Sequence, residues 1–261
     1  MKIGAIAAVG PIVGVLLLTG CADKGATPFA KPLDEPTGSV PATTEPVVRP
    51  PIAPTRAQDT GTPTPRTSAQ AQGLAITLAL TPTDWGSDYV KQNTYEFAGE
   101  TWTDFGPQCA QRSVPPPTTV IGQWTRQVQI NNADATAVTF SGGSGAIVHR
   151  DVAGARTQMA DARASGNRCT TRTYPDGTRA ENAPVASPPA FAGADEVYAE
   201  EGVMYPKTGS AGPFPYTSLF LRRGDVVLTT YLTGPTPDRA AEAREGAGRA
   251  ARTMLRRLAA S

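Results

Sequence analysis

The chain has 261 residues, with 24 Lys and Arg set against 23 Asp and Glu, one His and three Cys. So even a balance leaves no electrostatic footprint for nucleic acid or for an anionic membrane surface, and no nucleic-acid partner is expected. No cofactor is expected either, because one histidine and three cysteines supply few ligands for a bound metal. At the start, a positive charge at Lys2 precedes the apolar run Ile12-Val13-Gly14-Val15-Leu16-Leu17-Leu18. A charged start, an apolar segment too short to span a bilayer and small residues after it read as a secretory signal.

The segment ends Leu18-Thr19-Gly20-Cys21, which resembles the lipobox of bacterial lipoproteins. The resemblance implies removal of residues 1–20, attachment of a diacylglycerol to Cys21, and a place on the outer face of the cell membrane. The alternative is a plain secretory signal with an incidental cysteine. Removing residues 1–20 takes away Lys2 and no acid, so 24 basic residues become 23 against 23 and the mature chain is formally neutral. With Cys21 lipidated, Cys109 and Cys169 remain as a pair, expected as a disulfide in an oxidising compartment. Two separate buried thiols are the alternative. No second apolar run is long enough to span a membrane.

From residue 21 to 72 prolines recur, from Pro28 through Pro65, among Thr, Ala and scattered charge. Proline at that spacing is incompatible with helix or sheet, and few large apolar groups are present to offset ordering. The segment reads as a disordered, partly polyproline-II tether, reaching roughly 150 Å if fully extended at about 3.1 Å per residue. Thr43-Thr44 and Thr60 to Thr67 are possible sugar acceptors by composition.

A folded domain is expected over residues 73–261. Leu74, Ile76, Leu78 and Leu80 alternate with small or polar residues, the period of a half-buried strand, and Thr81-Pro82-Thr83-Asp84 turns the chain, with Trp85 and Tyr89 packing behind. Residues 91–117 read as irregular apart from a short strand near 94–97. Strands follow: one with Trp124, Arg126, Val128 and Ile130 on one face and Thr125, Gln127 and Gln129 on the other, then a turn at Asn131 to Asp134 and a return over 135–140. Gly142-Gly143-Ser144-Gly145 reads as a further turn into Ala146 to His149. Asp151 caps a helix with Val152, Ala155, Met159 and Ala162 on one side, stopped by Gly166. A loop rich in Pro, Ala and Gly runs from Tyr174 to Phe191. Strands are expected at 194–200, 216–222 and 226–232, the last two joined through Arg223-Gly224-Asp225. Pro237 opens a final helix with Ala247, Ala251, Met254 and Leu258 as its apolar stripe and arginines 244, 249, 252, 256 and 257 mostly off it. The whole predicts an α+β domain: a twisted antiparallel sheet with two helices and one disulfide.

This order resembles the extracellular sensor-type domain of PknH-like receptor kinases, found also on actinobacterial lipoproteins. The residues that carry the resemblance are Leu78-x-Leu80-Thr81-Pro82-Thr83-Asp84, the Cys109 loop, Trp124, the helix ending before Cys169, Gly193 to Ala199, and Arg222 to Val227. It covers about residues 74–256 and implies an envelope ligand held in a cleft beside the sheet. Family members often carry two disulfides where this chain can make one, and no kinase domain accompanies it.

Catalytic signatures are incomplete. His149-Arg150-Asp151 matches the start of a kinase catalytic loop, but Arg156 stands where the metal-binding Asn belongs. Gly142-Gly143-Ser144-Gly145 lacks the glycine that a nucleophile elbow needs two residues after its serine, and His149 is the one histidine available to Ser144. Asp195, Glu196, Glu200 and Glu201 could hold calcium or cleave a glycoside, though they lack the spacing of a known loop. What remains is binding. Arg126 among Trp124, Val128 and Ile130, with Tyr231 on the last strand, suggests an aromatic cleft with an arginine for a carbohydrate or carboxylate-bearing ligand. The alternative is an edge arginine reaching water by its stem. The expectation is a membrane-tethered, non-catalytic sensor or binding module for an envelope ligand or a partner protein. The alternatives are an envelope hydrolase and a lipid carrier or assembly factor.

Overall fold

The structure is a computed structural model that describes residues 66–99, 101–130, 140–207 and 212–261. The signal segment, Cys21, the tether as far as residue 65 and the expected turn and return over 131–139 lie outside the described residues. The first element corrects the sequence reading. Residues expected to form a strand from Leu74 form helix α1, Ser68–Leu78, which also takes in residues assigned above to the tether. The even-numbered alternation was real, but Ala71, Ala75 and Leu78 are the buried set, spaced four and three apart. Helix-forming Ala, Gln and Leu favour this outcome, and a capping box fixes the start: the Thr67 hydroxyl accepts from Gln70 N–H while the Gln70 amide oxygen accepts from Thr67 N–H. Pro82–Trp85 then forms the single turn of α2, where only a turn was expected, and Trp85 does pack on Tyr89, ring centroids 5.8 Å apart.

The strands follow as β1 (Tyr89–Ala98), β2 (Trp102–Phe105), β3 (Gln111–Val114), β4 (Val120–Ile130) and β5 (Ser141–His149). Helix α3 (Val152–Arg168) leads into β6 (Thr171–Thr173), β7 (Arg179–Pro184), β8 (Glu196–Tyr205), β9 (Phe214–Arg223) and β10 (Val226–Thr233). A 3-10 turn, Pro237–Arg239, opens α4 (Ala240–Ala260). The α+β architecture stands, with four α-helices among the described residues rather than two. Residues 91–117, expected to be irregular apart from a short strand near 94–97, contain most of β1, which includes that stretch, and all of β2 and β3, and the loop expected after Tyr174 contains β7.

Eight strands make one antiparallel sheet in the order β1-β4-β5-β10-β9-β8-β7-β6, and β2 pairs with β3 in a separate hairpin. Side-chain alternation along β10 assigns the two faces. Val226, Leu228 and Leu232 pack with α1 and α4 in the main core, whereas Val227 packs with Ala155 and Met159 of α3 on the other side. The expected stripe of α4 holds: Ala247, Ala251 and Met254 are buried, and Leu258 packs partly against the core. Burying Met254 or Leu228 completely contributes roughly 1.5–3 kcal/mol each.

Two glycine readings need correction. Gly142 to Gly145 is not a turn but lies in the first half of β5, flanked by Thr125 to Val128 of β4 and Thr229 to Leu232 of β10. A Cβ on Gly143 would lie 2.7 Å from the Tyr231 ring and 2.8 Å from the Arg126 carbonyl, so absence of a side chain is what lets β10 lay its tyrosine across β5. Gly166 does not stop α3, which continues to Arg168. A Cβ there would stand 1.8 Å from the Tyr198 hydroxyl, so the glycine serves helix-on-sheet contact. The Cys109–Cys169 disulfide forms as expected and, with a parallel bridge between Ala110 and Thr173, fastens the β2–β3 hairpin to the end of α3 and to the last residue of β6.

Candidate functional site

The residues singled out for binding do not meet. Trp124 and Arg126 lie on the α1 side of β4, while Tyr231 points to the α3 side of β10, so no one cleft holds all three. Arg126 is committed to structure. Its Nη1 donates to the carbonyls of Ile76 (3.1 Å) and Ala79 (2.6 Å), closing the C-terminal end of α1, and its Nε donates to Glu96 (2.7 Å). Trp124 Nε1–H donates to the same Glu96 carboxylate at 3.4 Å. The Arg126 hydrogen bond, aided by that from Trp124, outweighs slight burial and holds Glu96 below the usual carboxylate range. Tyr231 lies over Gly143, and burial pushes its phenol far above the ordinary value.

The catalytic candidates are likewise engaged. Ser144 faces α1, where its Oγ accepts from Leu80 N–H at 2.8 Å; His149 faces the opposite side, so the two cannot form a dyad. His149 is 1% exposed, with Nε2 2.6 Å from Gln158 Oε1 and Nδ1 3.1 Å from the Thr119 hydroxyl. Gln158 Oε1 can only accept, so the proton sits on Nε2 and Nδ1 accepts from Thr119. Burial lowers the His149 pKa despite the Gln158 bond and the nearby Asp151 and Asp225, which favour the charged ring. Asp151 caps α3 by accepting from Gly154 N–H. Each carboxylate considered for metal or acid-base work meets arginine: Asp195 with Arg222, Glu196 with Arg163 and Arg222, Glu200 with Arg172, Glu201 with Arg244. No cluster of three or more metal-ligating side chains occurs among the described residues.

A buried polar group that the sequence did not reveal lies on the α3 side. Arg172 and Glu200 form a two-pronged ion pair, both contacts 2.7 Å, and the Tyr198 hydroxyl donates to the same carboxylate at 2.7 Å. The guanidinium lies 4.6 Å from the Phe105 ring centroid, so the disulfide-fastened hairpin covers it. Asn182, Gly202 and Tyr216 stand in one cross-strand row beside it; the Asn182 amide atoms and the Tyr216 hydroxyl are buried without hydrogen-bond partners. Only the side-by-side order β9-β8-β7-β6 brings these residues together, and no local pattern announces it.

The open site lies elsewhere, along α4. A cleft of about 860 Å³ runs between α2, the 190–193 loop and the C-terminal half of α4. Trp85 and Phe191 line it, 8% and 6% exposed, with Ala250 and Leu255. Arg223, Arg249, Arg252 and Arg256 also line it, against one carboxylate, Asp84. Burial opposes ionisation of Asp84, but hydrogen bonds from Thr81 and Arg257 prevail and keep its carboxyl below the usual range. That acid is therefore already engaged, with Arg257 Nη2 2.5 Å away. Three of the five final-helix arginines that the sequence set off the apolar stripe, Arg249, Arg252 and Arg256, line the cleft. Their spacing of three and four residues was legible; the facing wall of α2 and the 190–193 loop was not.

No family model and no curated protein matches this sequence. Among solved structures, the fold is similar to the extracellular domain of PknH from Mycobacterium tuberculosis, with a TM-score of 0.52 and 13% identity over 76% of this chain and 99% of that one. An uncharacterized Mycobacterium smegmatis protein aligns with a TM-score of 0.31 and 11% identity over 54% of this chain and 68% of its own. At such identities the likeness to the PknH extracellular domain is one of fold: the domain is an α+β sheet structure of that kind.

Proposed function

We propose that this chain is an envelope lipoprotein, anchored through Cys21 and a tether reaching to about residue 65. Its folded domain acts as a non-catalytic sensor or binding module on the outer face of the membrane. The observation that carries the reading is the cleft along α4, which joins an aromatic wall to an arginine rim and offers binding groups without a catalytic set. Three further features support it: the Leu18-Thr19-Gly20-Cys21 sequence, a disulfide suited to an oxidising compartment, and a fold shared with a domain described as extracellular. The engagement of Ser144, His149 and the four carboxylates favours binding over hydrolysis. Titrating the purified chain with wall fragments and envelope lipid fractions gives saturable binding that Arg252→Glu weakens. Flat titrations across all fractions would refute the reading.

A further inference from the structure

The charge balance of the cleft narrows its ligand, an inference that rests on the binding reading above. Elsewhere most arginines of the domain meet carboxylates or backbone carbonyls. At the cleft, the side chains of Arg223 and Arg252 make no ion pair or hydrogen bond among the described residues, and that of Arg256 bonds only the Thr253 hydroxyl. Arg249 pairs with Glu245 four residues back, a contact between side chains 55% and 69% exposed. Such an exposed surface pair is weak, so Arg249 is readily released to a ligand.

The geometry gathers these groups. Arg249, Arg252 and Arg256 follow at spacings of three and four along one side of α4. Arg223 reaches the same cleft from the β9–β10 turn; a Cβ on Gly193 would lie 3.5 Å from its Nη1, so the glycine loop passes directly beneath the guanidinium. Below the arginines the wall is apolar, and Trp85 carries a buried Nε1–H without an acceptor. Four cations face one acid that is already neutralised by Arg257, so a singly charged or neutral ligand would leave the rim uncompensated. Planar guanidinium forks suit phosphate oxygens, and the aromatic wall suits a hydrocarbon chain.

We infer that the cleft takes a phosphorylated amphiphile: a head carrying two or more negative charges at the rim, with an apolar chain against Trp85 and Phe191. The polypeptide enters the domain at the same end, since Arg66 pairs with Asp225 of the β9–β10 turn at 2.5 Å.

The test uses the full chain carrying Cys21→Ser, so that no acyl group of its own interferes. Farnesyl pyrophosphate, farnesol and inorganic pyrophosphate are titrated separately. Farnesyl pyrophosphate should bind at least about tenfold more tightly than either part alone, and Arg223→Glu and Arg252→Glu should each weaken it about tenfold or more. Arg252 is exposed and Arg223 half-buried, and neither side chain has a bonding partner to lose, so the melting temperature should not change. Farnesol binding as tightly as its pyrophosphate, and still lost in Arg252→Glu, would overturn the polyanion while leaving a binding cleft. Inorganic pyrophosphate binding equally well would overturn the apolar part. Binding that ignores both charge reversals would remove the site from this cleft. Failure of all three probes alongside saturable binding of an envelope fraction would sink this ligand class alone; failure of the fractions as well would sink the binding reading. Flotation with phosphatidylcholine vesicles, with and without phosphatidic acid, separates the sources. Capture only by phosphatidic acid supports a bilayer headgroup, and binding of the dispersed amphiphile without capture supports a free lipid.

Discussion

Arg172→Met tests whether the α3 side of the sheet depends on its buried ion pair. Arg172 and Glu200 side chains are 10% and 3% exposed, so removing the cation strands a carboxylate whose remaining support is the Tyr198 hydroxyl. Breaking a buried pair from one side costs about 3–5 kcal/mol, because the surviving charge keeps its desolvation penalty and loses its partner. At roughly 2–4 °C per kcal/mol for a domain of this size, the melting temperature should fall by roughly 6–20 °C. Adding Glu200→Gln removes the stranded charge and should recover part of that loss. Urea unfolding of the wild type, both single variants and the double variant measures the coupling as shifts in midpoint at constant slope. A cost below about 1 kcal/mol for Arg172→Met, or a double variant no better than that single one, would refute the argument.

The disulfide closes a 60-residue separation, for which the unfolded-chain entropy gives about 4 kcal/mol. Reductant, or Cys109→Ser with Cys169→Ser, should lower the melting temperature and loosen the β2–β3 hairpin; an unchanged transition under reductant would show the bridge to be idle. His149 predicts a pH dependence with a definite sign. Its folded pKa is depressed by burial, so its stabilisation is complete above the unfolded value of about 6.5 and is lost as pH falls through the folded value. Melting temperatures should therefore decline on acidification below about pH 6.5, and His149→Gln should flatten that decline. An identical pH profile in the variant would assign the decline to other groups.

Local chemistry by itself determined a good part of this protein. Asp151 as an N-cap, the apolar stripe of α4, the β9–β10 hairpin through Gly224 and the Cys109–Cys169 pair depend on neighbours in sequence or on the two cysteines left once Cys21 is set aside, and each was legible. Segment 68–80 was misread because its alternation of leucines fits a strand, while the helical spacing of Ala71, Ala75 and Leu78 uses small residues that carry little hydrophobic signal. Gly142 to Gly145 was misread because glycine marks a turn and a close crossing alike, and only the position of Tyr231 on a strand more than eighty residues later distinguishes them. The sites depended on tertiary structure for the same reason. Whether Arg126 meets a ligand or the end of α1, whether Glu200 is free or buried against Arg172, and whether the α4 arginines face water or an aromatic wall are set by which distant elements pack together. Composition and periodicity describe a chain's faces, and only packing decides what each face touches.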